Sequence, residues 1–256
     1  EVIDQTLADG RKGKFFNVDF VNTVGETGMN CGGIQGPDGR IWTAEEWFIG
    51  NNEAINGGVL TAPTSISWYP KAPGIRDNQG VRDTVDFTIK SDIPGFDGVK
   101  IKKFENFNWM VEIDPKTGKA LRKQYNWGRM SFEGAVIMPD NKTVYCFEDA
   151  TPGLLTKFVA TTAGDFTQGS LYCYKENAGG AHGNWIKMNN DKLTEMINLE
   201  DSAFKRGATM FVRLEWGVEI GGKVYICETG KDNAGEDLAK GALRGGIAAS
   251  HHDVRA

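Results

Sequence analysis

Histidine is scarce in this chain, with 3 among 256 residues. A conventional zinc hydrolase needs several histidines or cysteines at ligand spacing, and no such spacing is found. The four cysteines, at 31, 146, 173 and 227, form no Cys-x-x-Cys pair. A zinc ribbon or a thioredoxin-like site is thereby set aside. No apolar run approaches the roughly 20 residues that cross a bilayer, so no membrane span is expected. No signal peptide is legible, and Glu1 is not an initiator methionine, so the chain reads as processed or trimmed at its start. Basic residues are not in excess: the net charge is −5 and the sequence pI about 5.4. Nucleic acid is therefore not expected as a partner, because phosphate neutralisation needs a basic face. A phosphate ester remains compatible, since bound cations invert a local field.

Glycine is abundant by contrast, at 33 residues, against only 8 prolines. Without a Gly-X-Y period, glycine scattered between short apolar runs signals many tight turns and many short strands. A loose repeat organises them, each copy a turn, a β-branched or aromatic run, then carboxylates. Pro37-Asp38-Gly39-Arg40 leads into Ile41 through Glu46. Pro139-Asp140-Asn141-Lys142 leads into Thr143 through Asp149. Gly221-Gly222-Lys223 leads into Val224 through Thr229. A further hairpin reads from Trp109–Ile113 through Asp114–Gly118 into Lys119–Arg122. Recurring strand–turn–strand units predict an all-β fold, a β-propeller with blades of roughly 40 to 50 residues. A β-sandwich is the alternative.

Residues 51–108 break the rhythm with prolines, Asn and Gly pairs and six aromatics, among them Trp68, Tyr69, Phe87, Phe96, Phe104 and Phe107. They read as an insertion in a single domain spanning 1–256, either a lid or a structural flap. Residues 189–206 predict one or two short helices, and the tail from Leu238 predicts a partly helical segment. Cys146, Cys173 and Cys227 lie in apolar strand settings and are expected as buried packing thiols. Cys31 differs, lying in the glycine-rich stretch Gly28–Gly33. His182 falls in a glycine loop, and His251-His252 in a polar terminus that frays more readily than it binds metal.

The chemistry concentrates at a few acidic motifs. They are Asn30-Cys31-Gly32-Gly33 with Thr43-Ala44-Glu45-Glu46, then Gly128 through Ala135 around Glu133, then Phe147-Glu148-Asp149, then Phe211 through Gly217, with Glu228 closing the set. Carboxylates at strand ends of separate repeats can converge on one axis of a propeller. Converging carboxylates repel and need a cation between them. Oxygen ligands suit calcium, and a thiolate among them favours a transition metal such as iron. Each motif alone is weak: adjacent side chains of a strand point to opposite faces, so Glu45 and Glu46 reach one ion cluster only at a strand end or bulge.

In order and in residues, these motifs resemble the PhoX-type alkaline phosphatase family. The pieces are Asn30–Gly33, Thr43–Glu46, Val111–Pro115 with Gly118, Gly128–Glu133, Val144–Asp149, Lys157-Phe158, and Gly207-Ala208-Thr209 through Glu215-Trp216. The resemblance implies a β-propeller, six-bladed in the complete protein, with Ca2+ and Fe3+ as cofactors and phosphomonoester hydrolysis as the reaction. It implies Cys31 as the iron-binding thiolate, and Glu45, Glu46, Glu133, Asp149 and Glu215 as carboxylate ligands. It implies Arg213 as the substrate-binding arginine, with Glu133 beside it in catalysis, and no serine nucleophile. A small phosphate ester is the implied substrate, and the periplasm or the extracellular space the implied location.

Departures bear on this reading. Phe132 stands where the family has histidine, and Glu148-Asp149 where it has paired aspartates. Further ligands of the family lie beyond Ala256, so the propeller is expected to be incomplete at its C-terminus, completed by a missing part or an additional chain. Two alternatives follow: a non-catalytic, metal-stabilised propeller for surface assembly or binding, and a calcium-dependent lactonase or phosphotriesterase, which would not need Cys31.

Overall fold

The computed structural model describes residues 2–28, 30–46, 85–150, 152–177 and 182–230. Helices are few and short among them, Leu193–Ile197 and Leu199–Lys205 being the pair expected near residues 189–206. The remaining regular structure among the described residues is mainly antiparallel sheet. β1 (Val2–Thr6) and β2 (Lys12–Phe16) form a hairpin. The first sheet runs β3 (Asn30–Gln35), β4 (Ile41–Glu45), β7 (Met110–Asp114) and β8 (Lys119–Lys123), in that spatial order. Between β4 and β7 the chain leaves for residues 46–109 and forms a small hairpin, β5 (Asp86–Thr88) with β6 (Lys100–Lys102). That hairpin belongs to the stretch read as an insertion; residues 51–84 of it lie outside the described residues. The C-terminal tail with His251-His252 does too.

The second sheet is a five-stranded meander. Its strands are β9 (Phe132–Ile137), β10 (Thr143–Glu148), β11 (Leu155–Thr162), β12 (Asp165–Glu176) and β13 (Gly183–Lys187), each beside its sequence neighbour. A third begins with β14 (Leu214–Ile220) and β15 (Lys223–Glu228). The turn chemistry read in the sequence makes these hairpins. Gly39 N–H closes on Gly36 O at 2.9 Å, Asn141 N–H on Met138 O at 2.9 Å, and Gly118 N–H on Asp114 O at 2.8 Å.

The three sheets meet through their first strands: β3 and β14 each lie against β9. Gly32 permits the first contact, since a Cβ there would sit 1.9 Å from Glu133 O. Between the first two sheets lies an aromatic core, with Trp42 stacked on Trp127 at 6.1 Å and Phe166 edge-on to both. Arg40 caps it over Trp42 and Phe166 and pairs with Glu112 at 3.1 Å. Val136, Phe147, Phe211 and Leu214 pack between the second sheet and the third. Cys146 and Cys173 are buried as expected, whereas Cys227 is exposed. The reason is register: alternation along β15 puts Val224 and Ile226 on the packed side and Tyr225 and Cys227 on the open one.

Candidate metal centre

Adjacent first strands bring their starting ends together, and an antiparallel second strand ends at the same edge. Three pairs of residues arise at that edge. Cys31, Glu133 and Glu215 are each the second residue of a first strand. Glu46, Asp149 and Thr229 each directly follow a second strand. Each pairing shifts register near this edge, between Asn30 and Gly33, between Phe147 and Glu148, and between Leu214 and Gly217. A bulge re-aims the side chains beside it, here toward a common centre.

Two overlapping groups of donors result. Cys31, Glu46 and Glu133 each offer an atom within 4.8 Å of the others, and so do Glu133, Asp149 and Glu215. Glu133 belongs to both. One of its oxygens receives the Cys31 thiol at 3.3 Å and the Trp216 indole N–H at 2.7 Å. Arg213 closes one side, its guanidinium bidentate on Asp149 at 2.8 and 3.0 Å and 3.1 Å from Glu215. Its backbone lies in the left-handed region at φ 64°, held by its N–H on Ala150 O and by Thr229 N–H on its own carbonyl. Glu215 also accepts the Thr229 hydroxyl. Asn108 donates to the Glu46 carbonyl at 3.0 Å, anchoring the backbone at that residue.

The electrostatics are those of crowded anions. Burial, then the Glu133 charge, pushes the Glu46 carboxyl up to about 7. Burial also raises Glu133, against the lowering effect of its Cys31 and Trp216 hydrogen bonds. The Cys31 thiol is pushed up to about 12 by burial and by the two glutamates. A group of acids that resists ionisation in this way gains most from a cation, which reverses the sign of the local field. Four carboxylates and one thiol suit hard cations, with a place for one thiophilic transition metal.

Glu45 does not join its neighbour. The resemblance implies it as a ligand, but the structure turns it inward, where it is 0% exposed. Its carboxylate meets Lys123 at 2.9 Å and accepts Trp109 N–H at 3.0 Å and Gly28 N–H at 3.3 Å. Strand alternation separates the two side chains, and the buried ammonium satisfies the inner one. The other expected residues, Cys31, Glu46, Glu133, Asp149, Glu215 and Arg213, do come together.

Three residues at the edge were given no role by the sequence reading: Trp216, Asn108 and Thr229. A signal for Thr229 was present. Trp42-Thr43-Ala44-Glu45-Glu46, Tyr145-Cys146-Phe147-Glu148-Asp149 and Tyr225-Ile226-Cys227-Glu228-Thr229 align as an aromatic, two residues, a glutamate and the edge residue.

A family model described as alkaline phosphatase PhoX matches residues 14–249. Among solved structures, the chain is similar to Pseudomonas fluorescens PhoX in complex with vanadate, a transition state analogue, with a TM-score of 0.59 and 24% identity. That match covers 82% of this chain and 41% of the other, so the chain spans less than half the length of that relative. No curated protein sequence gives a significant match.

Proposed function

The chain belongs to the PhoX alkaline phosphatase family, and from that premise we propose that its acidic edge is the metal centre of a phosphomonoester hydrolase. The observation that carries this reading is the pair of donor groups sharing Glu133, with a forked arginine at their side. Cys31, Glu46 and Glu133 would hold an iron ion, and Glu133, Asp149 and Glu215 a calcium ion. A bound cation supplies Lewis acidity toward phosphoryl oxygens and acidifies water. The chain's own contribution is placement and charge. Arg213 offers forked donors to the phosphoryl oxygens, a geometry that lysine lacks. Glu133 is held at the shared corner by the Trp216 indole N–H, which fixes the residue that the two donor groups share. The net reaction is attack of water on phosphorus with loss of an alcohol, giving inorganic phosphate.

The same reading takes the three sheets, in contact through their first strands, as whole or partial blades of a propeller that has six in the complete protein, and residues 51–108 as an insertion covering one face. It places the protein in the periplasm or outside the cell. Among the described residues no helix is long and apolar enough to cross a membrane.

A second reading is a metal-stabilised propeller without catalysis. Closure of the Arg213 fork on Asp149 favours it, because a phosphate must displace that carboxylate. Elemental analysis with p-nitrophenyl phosphate hydrolysis, with and without EDTA, separates the two. Iron and calcium, with turnover lost in EDTA and in Cys31→Ala, are the expected result. Arg213→Ala should lower kcat by about 10²–10³-fold, the range for removing one transition-state donor. Calcium alone without turnover would overturn the phosphatase reading in favour of the second.

A further inference from the structure

One carboxylate recurs in all three sheets beside the cluster and outside it. Glu45, Glu148 and Glu228 each end a second strand, one residue before the edge residues Glu46, Asp149 and Thr229. One oxygen of each accepts a backbone N–H from the segment leading into the first strand of the same sheet. The donors are Gly28 at 3.3 Å, Ser131 at 3.0 Å and Val212 at 2.8 Å. In the first two sheets the other oxygen accepts the N–H of the residue just before the third strand, Trp109 at 3.0 Å and Leu154 at 2.8 Å. A single side chain thus ties the start of strand one, the end of strand two and the start of strand three.

The ladder cannot supply these contacts itself. All five donors stand one or two residues before a strand begins, outside the ladder. A buried N–H needs an acceptor, and an ionised or shared carboxylate offers two oxygens where a carbonyl offers one. The points tied together are those that carry Cys31 with Glu46, Glu133 with Asp149, and Glu215 with Thr229. We infer that Glu45, Glu148 and Glu228 are equivalent positioning residues, which hold the donor-bearing strand ends at their spacing and do not themselves bind metal. The inference rests on the reading of the edge as a metal centre.

At Glu45 and Glu148 replacement by glutamine keeps the volume and leaves one acceptor for two N–H groups; at Glu228 replacement by methionine takes the acceptor from the Val212 N–H. Two readouts on the full chain test the role without relying on turnover. The first is calcium binding, as stoichiometry and affinity. The second is the indole N–H resonance of Trp216, assigned by difference with Trp216→Phe, which reports on Glu133. Glu112→Gln is the control: Glu112 is equally buried on β7 but pairs with Arg40 and Arg122, away from the edge. Glu45→Gln, Glu148→Gln and Glu228→Met should keep the wild-type number of calcium ions and weaken their binding by about 10- to 100-fold. Glu148→Gln should also shift the Trp216 resonance. Glu112→Gln should lower thermal stability and leave both readouts unchanged.

Loss of one calcium equivalent in a positioning variant would overturn the inference, since it marks a ligand. Behaviour identical to Glu112→Gln would overturn it as well, since it marks a purely structural role. If Glu45→Gln or Glu148→Gln fails to fold, Glu228→Met, at a half-buried position, decides by the calcium readout. A wild-type chain that binds no calcium sinks the metal reading alone. The Trp216 resonance of Glu148→Gln then decides the positioning role, supported by a shift and overturned by none.

Discussion

Consecutive side chains leave an extended strand on opposite faces, so Glu45 and Glu46 part company at the end of β4. The outward one meets other acids. The inward one needs a cation of its own, and Lys123, 1% exposed at the end of β8, supplies it. Burial pulls the Lys123 ammonium below its ordinary value, while the Glu45 charge acts in the other direction. Removing one partner of such a pair leaves an uncompensated charge in the interior, at a cost of about 3–5 kcal/mol. Lys123→Met is therefore expected to lower the free energy of unfolding in urea by about that much. Adding Glu45→Gln to it should restore a large part. A single variant within 1 kcal/mol of wild type, on the scale of an exposed pair, would mean that the pair is solvated. Sequence could name both residues of the Glu-Glu step but not their faces, because the partner that decides the matter lies 78 positions away.

At the scale of elements, the hairpins were legible. Pro-Asp-Gly, Asp-Asn and Gly-Gly are local turn chemistry, and the turns formed where those residues stand. The approach of β3 to β9 was not legible, since it depends on two segments a hundred positions apart. Gly32 is where that approach becomes testable. A methyl group there would meet the Glu133 carbonyl at 1.9 Å, a backbone atom that cannot turn aside. Gly32→Ala is expected to destabilise by about 1–3 kcal/mol, the usual cost of overpacking, and to abolish metal binding by parting Cys31 from Glu133. Gly134→Ala, whose Cβ would meet nothing within 4 Å, is the matched control and should change little. Thermal melts in EDTA and in calcium check both. Equal melting temperatures for the two variants would show that β3 and β9 are not in close contact.

For the whole molecule, the crowded acids set a dependence on pH. Burial raises Glu46 and Glu228 to about 7 from an ordinary value near 4.5. A carboxyl that binds its proton more tightly when folded contributes stability below its unfolded pKa, and that contribution is lost as pH rises through the folded value. In EDTA the melting temperature should therefore fall between about pH 4.5 and 7. Calcium binds the ionised carboxylates, so added calcium should offset the fall and gain effect as pH rises. A metal-free chain that becomes more stable across that window would contradict the placement of these acids.

The seven site residues were named by the family resemblance; local pattern by itself determined the all-β class of the fold, its turns and the order of its acidic motifs. These follow from chemistry within a few positions: turn residues, β-branched runs and acids placed at strand ends. Only the tertiary structure decided which acids meet. Facing depends on strand alternation and on bulges. Pairing of Glu45 with Lys123, and convergence of Cys31, Glu133 and Glu215, depends on which sheets lie side by side. Those contacts join residues far apart in the chain, and burial, which sets their charge, exists only once the sheets have packed.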